Sequence, residues 1–454
     1  MAKLRTLFFC TECGNESPRW EGQCPACGGW NTLAEAPSAS GRARPGRVAA
    51  ANVDPQAVRL REVGADDASR WSTGIGELDF VLGGGLVPGS LVLVGGEPGI
   101  GKSTLLLQAA GRLEGAGRAT LYVSGEESAA QVSMRAARLD GPVGDVSFLA
   151  HTDVEAILAC AADREPAVIF VDSIQTVRAA DVEGAPGNVN QVRECAARFQ
   201  RYAKESGAAV FLVGHVTKGG VVAGPRTLEH IVDTVLYFEA AGGLDHRVLR
   251  TTKNRFGGAD ELGVFRMTGA GLVEVENPSA LFLDERSADA SGCAVVPALE
   301  GTRPLLVEVQ ALAARAGYGS PQRVANGFDR QRLALLLAVL ERRAGLPFGE
   351  RDVFVNVVGG LRLADPACDL AVAVALASTA LDRSVPHGAV FIGELGLGGE
   401  LRPVHQAERR LAAAAKAGFA QAFLPERSIR GRAPDGIALH ALPTVAELIS
   451  ELFR

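Results

Sequence analysis

Gly96-Glu97-Pro98-Gly99-Ile100-Gly101-Lys102-Ser103, with Thr104 behind it, carries every fixed position of a phosphate-binding P-loop. The run before it, Ser90-Leu-Val-Leu-Val-Gly95, is short and apolar, as a buried parallel strand is. The residues after it, from Thr104 through Ala110, begin a helical pattern. Strand, Gly-rich turn and helix N-terminus are the context the motif needs. Glycines let the backbone curl so that its N–H groups face a polyphosphate, and the helix end adds favourable partial charge. In this frame Lys102 reaches the β- and γ-phosphates, and Ser103 holds Mg²⁺. A Gly-rich turn that merely precedes a helix would not require all these fixed residues and both flanks. The stretch binds ATP or GTP on this reading.

The chain around it has 454 residues, enough for two or three domains with their own cores. Apolar residues make up 47% and charged ones 22%, the balance of an ordinary soluble protein. The net charge of −6 advertises no general nucleic-acid surface, so any such binding must use a local channel or loop set. No apolar run approaches the roughly 18–20 residues of a membrane span. The start, Met1 to Cys10, has too short an apolar region for a signal peptide, and a cytoplasmic location is the expectation.

Cys10, Cys13, Cys24 and Cys27 form two C-x-x-C pairs, followed by Gly14 and Gly28. Each knuckle places two thiolates on one side of a tight turn, and two knuckles complete a tetrahedron around Zn²⁺. A reducing cytosol disfavours the alternative of disulfides. Trp20 and Trp30 are expected to cover this site, with stacking on nucleic acid beside Arg19 as the other reading. Cys160, Cys195, Cys293 and Cys368 are scattered and read as small buried hydrophobes.

Four segments follow from pattern and composition. Residues 1–34 form the zinc module, and 35–70, rich in Ala, Pro, Ser, Gly and Arg, read as a flexible linker. Residues 71–277 alternate strand and helix patterns, with strands expected at 91–95, 119–124, 167–172, 208–214 and 234–239. This predicts a parallel sheet covered by helices, extended by a hairpin at about 247–253 and 262–267. Residues 278–454 form a second α/β unit, with strands near 293–298, 304–311, 353–358, 389–393 and 421–424 and helices at 329–343, 368–380, 404–417 and 443–453.

Ala167-Val-Ile-Phe-Val-Asp172-Ser173 is an apolar strand ending in a carboxylate, so Asp172 is placed to orient Mg²⁺ or its water beside the P-loop. Leu121-Tyr-Val-Ser-Gly125-Glu126-Glu127 ends another strand with two carboxylates. Glu126 is the first choice for positioning the attacking water, and Glu127 competes with it; either could instead favour the following helix N-terminus. His215 ends the strand that starts at Ala209, where a polar group can sense the γ-phosphate and pass its state to the next loop.

Taken together, these motifs make the chain resemble the bacterial RadA (Sms) family of DNA repair proteins, which are RecA-like ATPases, over essentially its full length. The resemblance rests on the four-cysteine module with Trp20 and Trp30, on Ser72-Thr-Gly-Ile-Gly-Glu-Leu-Asp79, on Val81-Leu-Gly-Gly-Gly-Leu-Val-Pro-Gly89 and on the P-loop. It continues through His215-Val-Thr-Lys218, Gly224-Pro-Arg-Thr-Leu-Glu-His230 and the pentapeptide Lys253-Asn254-Arg255-Phe256-Gly257. Glu97 stands where the family commonly has Asp, and Gly219 where an acidic residue is common; both are peripheral to catalysis. The resemblance implies ATP as nucleotide and a homohexameric ring, with hexamer against heptamer left open. It also implies single-stranded DNA and branched recombination intermediates as substrates, with the RecA recombinase and other repair proteins as partners. Lys253 and Arg255 would then reach across a subunit interface to the neighbour's ATP, where a cation supplied in trans stabilises the transition state only when subunits close. Loops 178–190 and 216–227, carrying Arg178, Lys218 and Arg226, would line the DNA channel.

Residues 291–424 resemble the proteolytic domain of Lon through Ala364-Asp-Pro-Ala367-Cys-Asp-Leu370 and Gly393-Glu-Leu-Gly-Leu-Gly-Gly-Glu-Leu-Arg-Pro403. That alignment puts Ala367 at the nucleophile and Glu408 at the activating lysine, so both groups of the dyad are absent. An ATP-dependent protease and a nucleotide-switched assembly protein are therefore the weaker alternatives to a DNA motor. The expected fold is α/β: a RecA-like P-loop core, preceded by a small zinc module and followed by a non-proteolytic Lon-protease-like domain.

Overall fold

The computed structural model describes residues 8–10, 16–17, 19–25, 28–35, 69–215, 225–240, 246–275, 278–281, 283, 290–317, 320–428 and 434–454. Cys13, Cys27, Lys218 and residues 36–68 of the expected linker lie outside the described residues. The chain divides into two compact units. One takes in Met1–Glu239, Leu249–Ala259 and Thr268–Leu272, the other Ala240–Val248, Asp260–Met267 and Val273–Arg454.

At the N-terminus β1 (Phe8–Cys10) pairs antiparallel with both β2 (Glu16–Ser17) and β3 (Leu33–Glu35). Cys10, Cys24 and Leu33 make the small core here, with Phe8 packed against it. The cover expected from the tryptophans is not there: Trp20 is 54% and Trp30 71% exposed. The two indoles lie instead against Gly22, within 4.0 Å of where its Cβ would be, and Trp20 Nε1 donates to the Leu33 carbonyl at 3.0 Å.

The next stretch runs α1 (Gly76–Val81), β4 (Leu91–Gly96), α2 (Lys102–Gly115), β5 (Thr120–Ser124), α3 (Ala129–Ala136), β6 (Ser147–Ala150), α4 (Val154–Arg164), β7 (Val168–Asp172), α5 (Val189–Ser206), β8 (Ala209–His215), α6 (Pro225–Leu228), β9 (Thr234–Ala240), β10 (His246–Asn254), β11 (Leu262–Thr268) and β12 (Gly271–Glu274). The strands form one sheet in the order β12-β11-β10-β9-β4-β8-β7-β5-β6, and the pairings from β9 to β6 are parallel. Burial on both faces is why β4, β5 and β7 read as near-continuous apolar runs. Phe199 of α5 and Ile157 of α4 join Leu91, Leu121, Ile169 and Val210 in one core. Each such side chain contributes about 1.5–3 kcal/mol on burial. The edge strand β6 was not foreseen; its residues are only partly buried and it is four residues long, so its pattern is weak.

The C-terminal part contains α7 (Pro278–Leu281), β13 (Cys293–Glu300), β14 (Arg303–Arg315), β15 (Arg323–Asn326), α8 (Arg330–Ala344), β16 (Arg351–Val357), α9 (Asp369–Leu381), β17 (Ala389–Phe391), β18 (Glu394–Leu395), β19 (Leu401–Arg402), α10 (Ala407–Lys416), β20 (Gln421–Pro425), β21 (Ala438–Leu442) and α11 (Val445–Leu452). Its sheets run β13-β14-β16-β15 and β17-β20-β21, with a β18-β19 hairpin. Helix α9 is buried at every residue from Asp369 to Ser378, which accounts for its apolar sequence on all sides. Cys195 and Cys368 are fully buried as expected, whereas Cys160 and Cys293 are only partly covered. No helix among the described residues is long and apolar enough to cross a membrane.

Candidate active site

Parallel register brings the expected residues to one edge of the sheet. Gly96 of β4 pairs with His215 of β8, and Ser124 of β5 pairs with Asp172 of β7, so all four lie at strand C-termini. That edge is where open α/β sheets bind ligands. The loop from Gly96 to Gly101 joins β4 to the 14-residue helix α2. Its backbone demands glycine: Gly96 has φ +154° and a Cβ there would meet the Phe238 carbonyl at 2.6 Å, while Gly101 has φ +117°. Lys102, Ser103 and Thr104 then open the helix whose N–H groups face the loop.

Lys102 is buried, and its Nζ donates to the carbonyls of Gly96 at 2.8 Å and Glu97 at 2.9 Å. Burial lowers its pKa, against the opposing charges of Asp172 and Glu126. The Lys102 Nζ lies 3.4 Å from His215 Nδ1, and His215 Nε2 lies 3.5 Å from Glu126 Oε1. Lysine, histidine and glutamate thus form one polar chain across the strand ends. Asp172 is buried and accepts from the Tyr122 hydroxyl at 2.7 Å. Burial, then the charge of Asp172, holds that hydroxyl protonated well above its ordinary range, and Ser103 also hydrogen-bonds it. Ser103 and Asp172 therefore share Tyr122 as a neighbour, an oxygen-rich corner that fits a hard divalent cation such as Mg²⁺.

The two adjacent carboxylates part company. Glu126 Oε1 accepts from Ser173 Oγ at 2.6 Å, on the Lys102–His215 side. Glu127 forms an ion pair with Arg135 of α3. Both amides are held by Ser124 Oγ, at 3.3 Å for Glu126 and 3.0 Å for Glu127. Tyr122, Ser173 and Arg135 were not singled out in the sequence; the available signal was a lone tyrosine inside an apolar strand and a serine directly after the strand-ending aspartate.

Lys253 and Arg255 are elsewhere. Lys253 Nζ donates to the carbonyls of Glu229 at 2.5 Å and Val232 at 2.8 Å, and burial, then the Arg255 charge, lowers its pKa. Arg255 Nη1 lies 3.4 Å from Asp233 Oδ1, and Asp233 Oδ2 accepts from the Leu91 amide at 3.0 Å. Leu91 is the first residue of β4 and Gly96 its last. The pentapeptide thus sits at the N-terminal edge of the sheet, roughly 16 Å along the strand from this chain's own P-loop. The glycines of Val81–Gly85 let it close there: Gly83 has φ +85°, and a Cβ on it would meet the Gly257 Cα at 3.1 Å. Asn254 Nδ2 donates to the Leu82 carbonyl at 3.1 Å, and Arg70 bonds the carbonyls of Gly83 and Phe256.

Of the two candidate channel loops, 178–190 ends inside α5, whose first residue is Val189, and is tied down at its base. Gln191 is buried and its amide bonds Ala179, Val182 and Gly184. Arg178 is exposed. Residues 216–224 of the other loop lie outside the described residues, and Pro225 and Arg226 open α6.

In the C-terminal unit Ala367 is fully buried, and Glu408 is exposed in the first turn of α10. Burial raises the Cys368 thiol pKa well above its ordinary value. The Ser378 hydroxyl donates to the Arg383 carbonyl at 2.5 Å and accepts from the Gly292 amide at 2.8 Å. Arg410 fills the interior instead, bonding Asp365, the Pro297 carbonyl at 2.9 Å and the His405 carbonyl at 3.1 Å. Among the described residues these candidates form no nucleophile–base pair.

A family model described as an AAA domain matches residues 57–221. Another, described as subunit ChlI of Mg-chelatase, matches 322–428, and a rubredoxin metal binding domain matches 8–35. DNA repair protein RadA of Pseudomonas aeruginosa is 49% identical, covering 100% of both chains. The proteins of the same description from Bacillus subtilis and Escherichia coli are 46% and 45% identical, each covering 99% of both chains. With identity at that level running from the metal-binding region through the P-loop to the C-terminus, the chain belongs to the DNA repair protein RadA family and is a DNA repair ATPase.

Proposed function

We propose that this chain hydrolyses ATP in a ring of identical subunits, translocates on single-stranded DNA and promotes branch migration of recombination intermediates. The residues Gly96 to Thr104 would hold the nucleotide, with Lys102 on the β- and γ-phosphates and Ser103 and Asp172 on Mg²⁺. When bound, the metal would neutralise phosphate charge. Glu126, held by Ser173 Oγ at 2.6 Å and beside His215, would orient the attacking water. His215, the last residue of β8, would pass the phosphate state to the loop that follows it. Cys10 and Cys24 are each 1% exposed and share one small core, which fits two of four zinc ligands. Cys13 and Cys27 would complete that site and make it structural.

The observation that carries the reading is the position of Lys253 and Arg255 at the sheet edge opposite their own P-loop, where Asp233 contacts the first residue of β4. From that edge they would serve a neighbour's nucleotide, as a ring of head-to-tail subunits would provide. Such a device couples hydrolysis to subunit closure. The test is phosphate release with and without single-stranded DNA, with Lys102→Ala as background. We expect DNA to raise turnover and the variant to lose it with its zinc content unchanged. A basal rate that DNA leaves unchanged would favour the nucleotide-switched assembly reading, and undiminished turnover by Lys102→Ala would remove the P-loop assignment.

A further inference from the structure

The trans reading leaves open what aims the two cations. Arg255 is half exposed at the end of a hairpin strand, and long side chains in that setting sample many rotamers. One group opposes this. Asp233 is 1% exposed, and its carboxylate faces Arg255 Nη1 at 3.4 Å on Oδ1 and Lys204 Nζ at 3.1 Å on Oδ2. The main chain repeats the contact, since the Arg255 amide donates to the Asp233 carbonyl at 3.1 Å. Lys204 in turn lies 5.9 Å over the Phe256 ring, so the same aspartate fixes the next residue of the pentapeptide. The Leu91 amide completes the set and ties the cluster to the strand that ends in the P-loop.

We propose that Asp233 is a positioning residue for the trans cations: its buried charge holds Arg255 in the orientation from which it meets the neighbouring subunit's nucleotide. The inference rests on the trans reading above. The physical argument is that a buried carboxylate keeps its cationic partners close, because the departure of either one leaves its charge less fully compensated. A solvent-exposed pair would carry no such constraint. The side chain of Arg255 is then pre-ordered on the surface instead of being ordered at each turnover, and orientation of that kind is worth up to about a hundredfold in rate.

The experiment uses Asp233→Asn in the full chain. Asparagine keeps an acceptor for the Leu91 amide and removes the charge; Asp233→Ser, smaller, serves as a second variant if the amide is not accommodated. ATP affinity and the melting transition should stay close to the parent, and kcat should fall about tenfold to a hundredfold. In an Arg255→Ala background the same substitution should cost nothing further, because its effect runs through Arg255; an additive loss there would overturn the proposal.

Mixed assemblies give the readout that a merely structural role would not move. Subunits carrying Lys102→Ala have an intact finger and a dead site of their own. Mixed equally with Asp233→Asn subunits they should restore activity, up to about a quarter of the parent rate, from interfaces where an intact finger meets an intact P-loop. Recovery with Arg255→Ala subunits but not with Asp233→Asn subunits would overturn the role of Asp233 alone. Recovery with neither would overturn the trans reading and this inference with it.

Discussion

Replacing Glu126 and Glu127 with Gln, one at a time, separates two carboxylates that are adjacent in sequence and differ only in what they face. Glu126 Oε1 takes the Ser173 hydroxyl at 2.6 Å and lies 3.5 Å from His215, which is itself 3.4 Å from Lys102. A group that orients and activates the attacking water contributes about 10²–10⁴ in rate. That corresponds to ~3–5 kcal/mol in the barrier. Glu126→Gln keeps the shape and the acceptor for Ser173, so nucleotide binding should persist while kcat falls by that factor. Glu127 instead faces Arg135, with side chains 32% and 17% exposed. A part-buried hydrogen bond between charged groups contributes about 1.5–3 kcal/mol, a loss that appears in the melting temperature and not in kcat. The assay is steady-state phosphate release at saturating ATP, with binding of a fluorescent nucleotide and a thermal melt alongside. Loss of turnover in Glu127→Gln with Glu126→Gln near the parent rate would refute the assignment.

Two other substitutions test parts remote from the nucleotide. Cys24→Ala should lower bound zinc, measured by mass spectrometry of the metal, by one ion per chain; unchanged metal content would remove the four-thiolate site. Arg410→Ala strips a buried cation from Asp365 and from the carbonyls of Pro297 and His405. Breaking a buried pair in this way costs about 3–5 kcal/mol, and the partial exposure of Asp365, 25%, sets the lower end. Urea unfolding should show the C-terminal transition at markedly lower denaturant, and an unmoved midpoint would mean that water compensates the Asp365 carboxylate once Arg410 is gone.

Much of the nucleotide edge was legible in the sequence because each part of it is a short contiguous run with a fixed chemistry. A Gly-rich turn ahead of Lys102-Ser103 and an apolar strand ending at Asp172 need no tertiary context to be recognised. Choosing between Glu126 and Glu127 does need it. Their turn is shaped by Gly125, where a Cβ would collide with Thr176 from a segment some fifty residues on, and by Arg135 from the following helix. Trp20 and Trp30 were misplaced for a related reason. Spacing shows that two apolar rings are near the thiols but not how far they are buried: the small core is Cys10, Cys24 and Leu33, and both indoles stay mostly exposed. Strands β6 and β21 escaped because edge strands bury only one face and lack the continuous apolar run that marked β4.

The place of Lys253 and Arg255 follows from strand polarity once the register is known. Parallel strands send every C-terminus to one edge, so a P-loop after β4 and a carboxylate after β7 must meet there. A hairpin strand that follows β9 returns toward the opposite edge, and Asn254 and Arg255 duly sit beside Thr234 and Asp233, where β9 begins. A cation on that return therefore lies a strand length from this chain's own P-loop, as the trans role proposed above requires. The same geometry explains why Asp233 was invisible in the sequence: a single aspartate before an apolar strand has no motif, and its meaning comes from the two cations and the Leu91 amide that converge on it.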